Sequence, residues 1–198
     1  MTVGILAFGS LRHEPGAELK PYVVQRIEGV ETPFAVEFAR SSRTRGDGPT
    51  LVPVPAGGAT VAADVLVLEE TVDEELARDL LYRRETRQVG EPVSYRDRGA
   101  TWIHAISPFA DLSVCLYTAL RPNIDPLTVS RLADLSLASA SGPAGANKRD
   151  GISYLEEQKR CGVVTPLMQG YEAEVLLRTG GRDLADAWAR ARAGPRQG

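Results

Sequence analysis

VAADVLVLEETVDEELARDLLYRRE, residues 61–85, decides the fold. Its first part, residues 61–68, is apolar and β-branched, as a buried strand requires. Thr71 and Glu74 then stand at the spacing of a capping box, which predicts a helix running to about Glu85. A strand therefore feeds directly into a helix. Leu76, Ala77, Leu80 and Leu81 form the apolar stripe of that helix, and Glu85 falls one turn beyond Leu81, at the stripe's edge.

Upstream, residues 2–8 read as a strand that ends in the turn-forming pair Gly9 and Ser10, and residues 34–39 alternate as a second strand would. Residues 41–58 hold Arg43, Arg45, three prolines and four glycines; so many backbone breakers predict a long ordered loop. Downstream, strands are expected at 101–106 and 112–120 and helices at 126–139, 152–160, 171–177 and 183–193. Strands early and helices late predict an α+β fold, a curved or closed mixed sheet (a small barrel) with helices at one end and side. Residues 194–198 offer nothing to bury and read as a frayed tail.

The 198-residue chain is 43% hydrophobic and 25% charged, with a formal charge of −3, so one domain with a real core is expected. Its arginines are spread from Arg12 to Arg196 rather than gathered in a stripe, which argues against nucleic acid as a partner. The apolar opening at residues 1–7 lacks a basic start and is too short to span a bilayer, so neither a leader nor a membrane partner is expected. Cys115 and Cys161 are the two cysteines, and Cys115 lies in an apolar run, which fits a reducing cytoplasm.

Two places invite chemistry. A glycine at the end of the first strand lets consecutive N–H groups around Gly9, Ser10 and Leu11 converge on a carboxylate or oxyanion; the plainer alternative is an ordinary turn. Glu85, on the rim of its helix, is placed to be partly desolvated, which lifts a carboxyl pKa toward the range a general base needs. The alternative is a solvated helix-end glutamate paired with Arg84 or Arg87. Arg83, Arg84 and Arg87 can in turn attract a substrate carboxylate or simply solvate the helix end. Ser10 lacks the flanking glycines of a hydrolase nucleophile. Nothing around either cysteine suggests a thiol activated for attack with His13 or His104, and the scattered ligands make no metal site. The stripe of Leu184, Ala187, Trp188 and Ala191 reads as core or subunit contact.

Phe8-Gly9-Ser10-Leu11 at the first strand's end, Arg84-Glu85 after an apolar helix and a late glycine-rich segment leading to Tyr154-Leu155 together resemble the γ-glutamylcyclotransferase superfamily, especially its ChaC-like branch. The likeness runs from Ile5 to about Gly162 and includes the Arg45-Gly46 loop and the Gly57-Gly58 pair. The family usually has tyrosine where Phe8 stands and often a Gly-Tyr pair soon after its Arg-Glu, where residues 86–95 read differently here. The resemblance implies a domain at 1–162; residues 163–198 lie outside it and are expected to form a helical extension packed on the same domain. It implies a catalytic role for Glu85 and substrate-binding roles for Phe8, Gly9, Ser10, Leu11 and Tyr154.

The activity so implied is release of 5-oxoproline from a γ-glutamyl compound, with no metal or cofactor. The alternative is a non-catalytic small-ligand or protein-binding module that keeps the pocket. The leaving group stays open, as does the choice between monomer and homodimer.

Overall fold

A computed structural model describes residues 2–95 and 102–193; the expected tail at 194–198 lies outside the described residues, as does Thr101 of the expected strand at 101–106. In chain order the elements are β1 (Val3–Ala7), β2 (Val23–Glu31), β3 (Val36–Ser42), β4 (Gly48–Pro53), β5 (Ala62–Leu68), α1 (Glu74–Thr86), β6 (Ile103–Ile106), β7 (Val114–Thr118), α2 (Val129–Ser141), α3 (Pro143–Ala146), α4 (Gly151–Arg160), α5 (Met168–Thr179) and α6 (Leu184–Ala193). The fold is mixed α+β. Two units divide it: one takes the described residues of Met1–Pro33 and Ala62–Arg121, the other those of Phe34–Val61 and Pro122–Gly198. No helix among the described residues is long and apolar enough to cross a membrane.

The first unit is a five-stranded sheet in the order β2-β5-β1-β7-β6. β1 runs antiparallel to β5 and parallel to β7, so the sheet is mixed. It is open, which corrects the expectation of a closed barrel: among the described residues β2 and β6 each pair on one side only, and β3 and β4 form a ladder of their own instead of extending it. β2 is a nine-residue strand in a stretch where no element was expected. Most of its side chains are exposed, and its pairing with β5 slips twice, once around Gly29 at φ 73°. Those bulges break the two-residue alternation by which a strand is recognised.

α1 covers one face of this sheet. Ala77, Leu80 and Leu81 pack into a buried cluster with Val3, Ile5, Ala7, Leu66, Leu68, Val114 and Leu116, a contact in which truncating one leucine costs about 2–5 kcal/mol. The helix starts two residues later than the capping box implied. Asp73, in extended backbone, accepts a hydrogen bond from the Leu76 amide at 2.8 Å, while the Thr71 hydroxyl donates to Glu69 instead. Glu74 and Glu75 in the first turn and Arg83 and Arg84 in the last suit the helix dipole.

In the second unit, residues 41–58 are not a loop throughout: β3 runs to Ser42 and pairs antiparallel with β4. Proline was the misleading signal. In a two-stranded ladder both strands are edges, so Pro49 and Pro53 can lack an amide hydrogen without breaking a central hydrogen bond. A 3₁₀ turn at Arg43–Arg45 joins the strands and ends at Gly46, φ 58°, where a Cβ would lie 2.9 Å from that of Ala144.

The helices α2, α4, α5 and α6 pack on one another, with α2 and α4 also on β4. Phe38 meets Tyr154 and Tyr171 edge to face. Two buried carboxylates bind this unit together. Glu37 accepts from the Phe38 amide, the Thr165 hydroxyl and the Leu167 amide. Asp150 caps α4 through the Ile152 and Ser153 amides and also receives the Trp188 indole N–H from α6 at 3.1 Å.

Candidate functional site

β1 delivers Phe8 in extended backbone, and Gly9, at φ 60°, turns the chain into a single 3₁₀ turn, Gly9–Arg12. A positive φ here costs a glycine little and any other residue more. The N–H groups that open such a turn have no acceptor within it. The turn is fastened at its far end. Leu11 is buried in the α1 cluster, and Arg12 donates to Asp64 on β5 at 2.9 Å. Arg26 on β2 completes this clamp, donating to the other Asp64 oxygen at 2.7 Å and to the Arg12 carbonyl at 2.7 Å. Burial pushes the Asp64 carboxyl up, but the hydrogen bonds and charges of the two arginines outweigh it and hold the group below its ordinary range.

Glu85 lies in the last turn of α1 with its side chain 11% exposed, so it is partly shielded rather than free in solvent. Its partner is Arg84, whose Nη1 donates to Oε1 at 2.5 Å. The same guanidinium reaches the strand-end turn: Nη2 donates to the Ser10 hydroxyl at 3.3 Å and to the Glu14 carbonyl at 2.8 Å. One planar cation therefore spans Glu85 and Ser10, which brings the two sequence candidates together. Ser10 contributes its carbonyl as well, accepting from the amides of His13 and Glu14. Arg83 points elsewhere, to Glu18 at 2.8 Å and the Val93 carbonyl. Its hydrogen bond holds the Glu18 carboxyl below the usual range.

Beyond the turn opens a cleft of about 510 Å³, lined by His13, Glu14, Pro15, Gly16, Lys20 and Arg26 among others. Neither Glu85 nor residues 8–11 line it. Arg84 borders both places, since a Cβ on Gly16 would lie 3.0 Å from its Cγ. Sequence reading passed over this loop because short runs such as Glu14-Pro15-Gly16 signal only a turn.

Tyr154 belongs to the second unit, on α4. It is buried, with the Arg45 guanidinium 4.2 Å above its ring and Phe38 at its edge. His104 on β6 is exposed and stacks on Tyr117. Burial pushes the Cys115 thiol up to about 12, which leaves no thiolate for attack at neutral pH. Among the described residues no group of three or more His, Cys, Asp or Glu side chains is placed to hold a metal ion. The chain matches no protein-family model and no curated protein, so its functional reading stands on the residues just described.

Proposed function

We propose that the chain is a cofactor-independent cyclotransferase that converts a γ-glutamyl amide into 5-oxoproline and a free amine. The observation that carries this reading is the Arg84 guanidinium joining Glu85 to Ser10, because it sets a shielded carboxylate beside the turn whose amides can hold substrate oxygen. The chemistry needs little more. A γ-glutamyl group brings its own nucleophile, and holding it bent toward its γ-carbonyl supplies much of the rate.

Glu85 accepts a proton from the α-amine as its nitrogen bonds to the γ-carbon. The carbonyl π pair moves to oxygen, where the amides of Gly9 and Ser10 receive the developing charge. When that pair returns, the bond to the leaving nitrogen breaks, and Glu85 delivers the proton to that nitrogen. No water is consumed, and the carboxylate is regenerated. Ser10 serves as a binder and not as a nucleophile.

The test is to incubate the purified chain with γ-glutamyl dipeptides, glutathione and γ-glutamyl alkylamines and to measure 5-oxoproline by mass spectrometry. At least one compound should yield lactam. Glu85→Gln should lose about 10²-fold or more of the rate, the usual worth of a positioned acid–base group. Absence of lactam from every compound, or full activity in Glu85→Gln, removes the reading in favour of a binding module.

A further inference from the structure

We propose that Arg84 is the receptor for the substrate's α-carboxylate, and that the carboxylate frees Glu85 to act as base by drawing the guanidinium to itself. The inference rests on the cyclotransferase reading above and assigns the part of the site that recognises the glutamyl end.

Each arginine around the strand-end turn already holds a carboxylate. Arg12 and Arg26 share the buried carboxylate of Asp64. Arg83 holds Glu18, which also accepts from the Gly90 amide. Both carboxylates are structural, and nothing in the reaction requires them to be released. Arg84 differs. Its anionic partner is Glu85, the group that must accept a proton, and an oxygen that already receives a guanidinium N–H is occupied by that bond.

The other contacts of Arg84 are a hydroxyl at 3.3 Å and a backbone carbonyl, both neutral acceptors. A carboxylate offers a guanidinium two parallel charge-assisted bonds, each roughly twice as strong as a neutral one. An incoming α-carboxylate can therefore displace the Ser10 hydroxyl and compete for the nitrogen that now holds Glu85. The pair is reachable yet shielded, with Arg84 16% and Glu85 11% exposed, so the exchange takes place where charges are weakly screened. With the α-carboxylate on Arg84, the amides of Gly9 and Ser10 are left for the γ-carbonyl oxygen.

The carboxylate then contributes to turnover and not only to binding. Two substrates test this, built on whichever leaving amine the 5-oxoproline assay identifies. One is the γ-glutamyl amide, and the other is the 4-aminobutanoyl amide, which lacks the α-carboxylate and closes to 2-pyrrolidinone. In the wild-type protein, loss of the carboxylate should lower kcat itself, by about tenfold to a hundredfold, the worth of a hydrogen bond to a charged group.

Arg84→Met should turn over the two compounds at nearly equal rates, and Arg84→Lys, which keeps the charge without the fork, should retain part of the difference. An unchanged wild-type kcat with only KM raised overturns the proposal. So does an Arg84→Met that discriminates as well as wild type or loses the same factor on both compounds. In each of these cases lactam still forms and the cyclotransferase reading survives. Absence of lactam from the wild-type protein removes both.

Discussion

Replacing Asp64 with asparagine tests whether the Arg12–Asp64–Arg26 clamp holds the strand-end turn in place. Asp64 sits on β5 directly opposite Ala7 in the β1 ladder, and its carboxylate is 5% exposed. It accepts from Arg12 at 2.9 Å through one oxygen and from Arg26 at 2.7 Å through the other. Asparagine keeps one acceptor and turns the other into a donor, so one guanidinium is left facing an N–H. Removing one member of a buried pair costs about 3–5 kcal/mol. Arg26 is 33% exposed and can regain water, which lowers the expectation to about 2–4 kcal/mol. Arg26→Met, which removes only the wetter arm, should cost about 1 kcal/mol or less.

Urea unfolding followed by far-UV circular dichroism measures both. The pH dependence gives a second reading with a definite sign. The folded Asp64 carboxyl lies below its ordinary range, so its contribution is fully present above the unfolded value of about 3.9 and is lost as pH falls through the lower folded value. Wild-type stability should therefore fall on acidification below about pH 4, and Asp64→Asn should lack that part of the fall. A cost under about 1 kcal/mol, or the same acid slope in both proteins, refutes the clamp. Because Arg12 ends the Gly9–Arg12 turn, the variant should also lose lactam formation in excess of its loss of folded protein.

In the second unit, Asp150→Ala removes the cap of α4 and strands the Trp188 indole N–H; about 2–4 kcal/mol is expected from the sum of a lost cap and an unpaired donor, measured by denaturant unfolding. Cys115, completely buried with its thiol pushed up to about 12, should resist a thiol reagent at pH 8 until the chain is unfolded, while Cys161, half-buried, reacts first. Peptide mapping after brief labelling reads the order, and modification of native Cys115 ahead of Cys161 contradicts the burial argument.

How much of this could be read from the sequence depended on whether a residue's role is local. The passage from β5 into α1 was legible because apolar runs, a capping residue and a 3.6-residue stripe all lie within 25 residues of one another in the quoted stretch. The start of α1 was misplaced because Thr71 and Asp73 are both competent caps, and only the backbone decides which amide each can reach. β2 and β4 were hidden for opposite reasons: β2 is too exposed and bulged to alternate, and the β4 segment contains prolines that exclude a central strand but not an edge. Asp64 was the clearest missed signal. An acid inside the otherwise apolar run at 61–68 demands a cation, and the sequence cannot say that two arginines, 52 and 38 residues away, supply it.

The strand-end turn also shows why these ion pairs do not all mean the same thing. Three carboxylates meet four arginines around residues 9–26, and distance alone does not rank them, since all four contacts fall between 2.5 and 2.9 Å. Redundancy does. Asp64 is held twice, and Glu18 has an arginine and a backbone amide, so exchanging any one partner leaves a buried or tethered charge uncompensated. Among the described residues Glu85 has Arg84 as its one cationic partner at ion-pair distance. Its arginine makes its remaining contacts with two neutral oxygens, the Ser10 hydroxyl and the Glu14 carbonyl. An anion arriving there can take Glu85's place on Arg84 and leave the Glu85 carboxylate open to the substrate's proton, whereas at Asp64 or Glu18 it would have to break the scaffold first. The clamps make the turn stiff, and the stiffness is what lets the third pair be exchangeable without the site losing its shape.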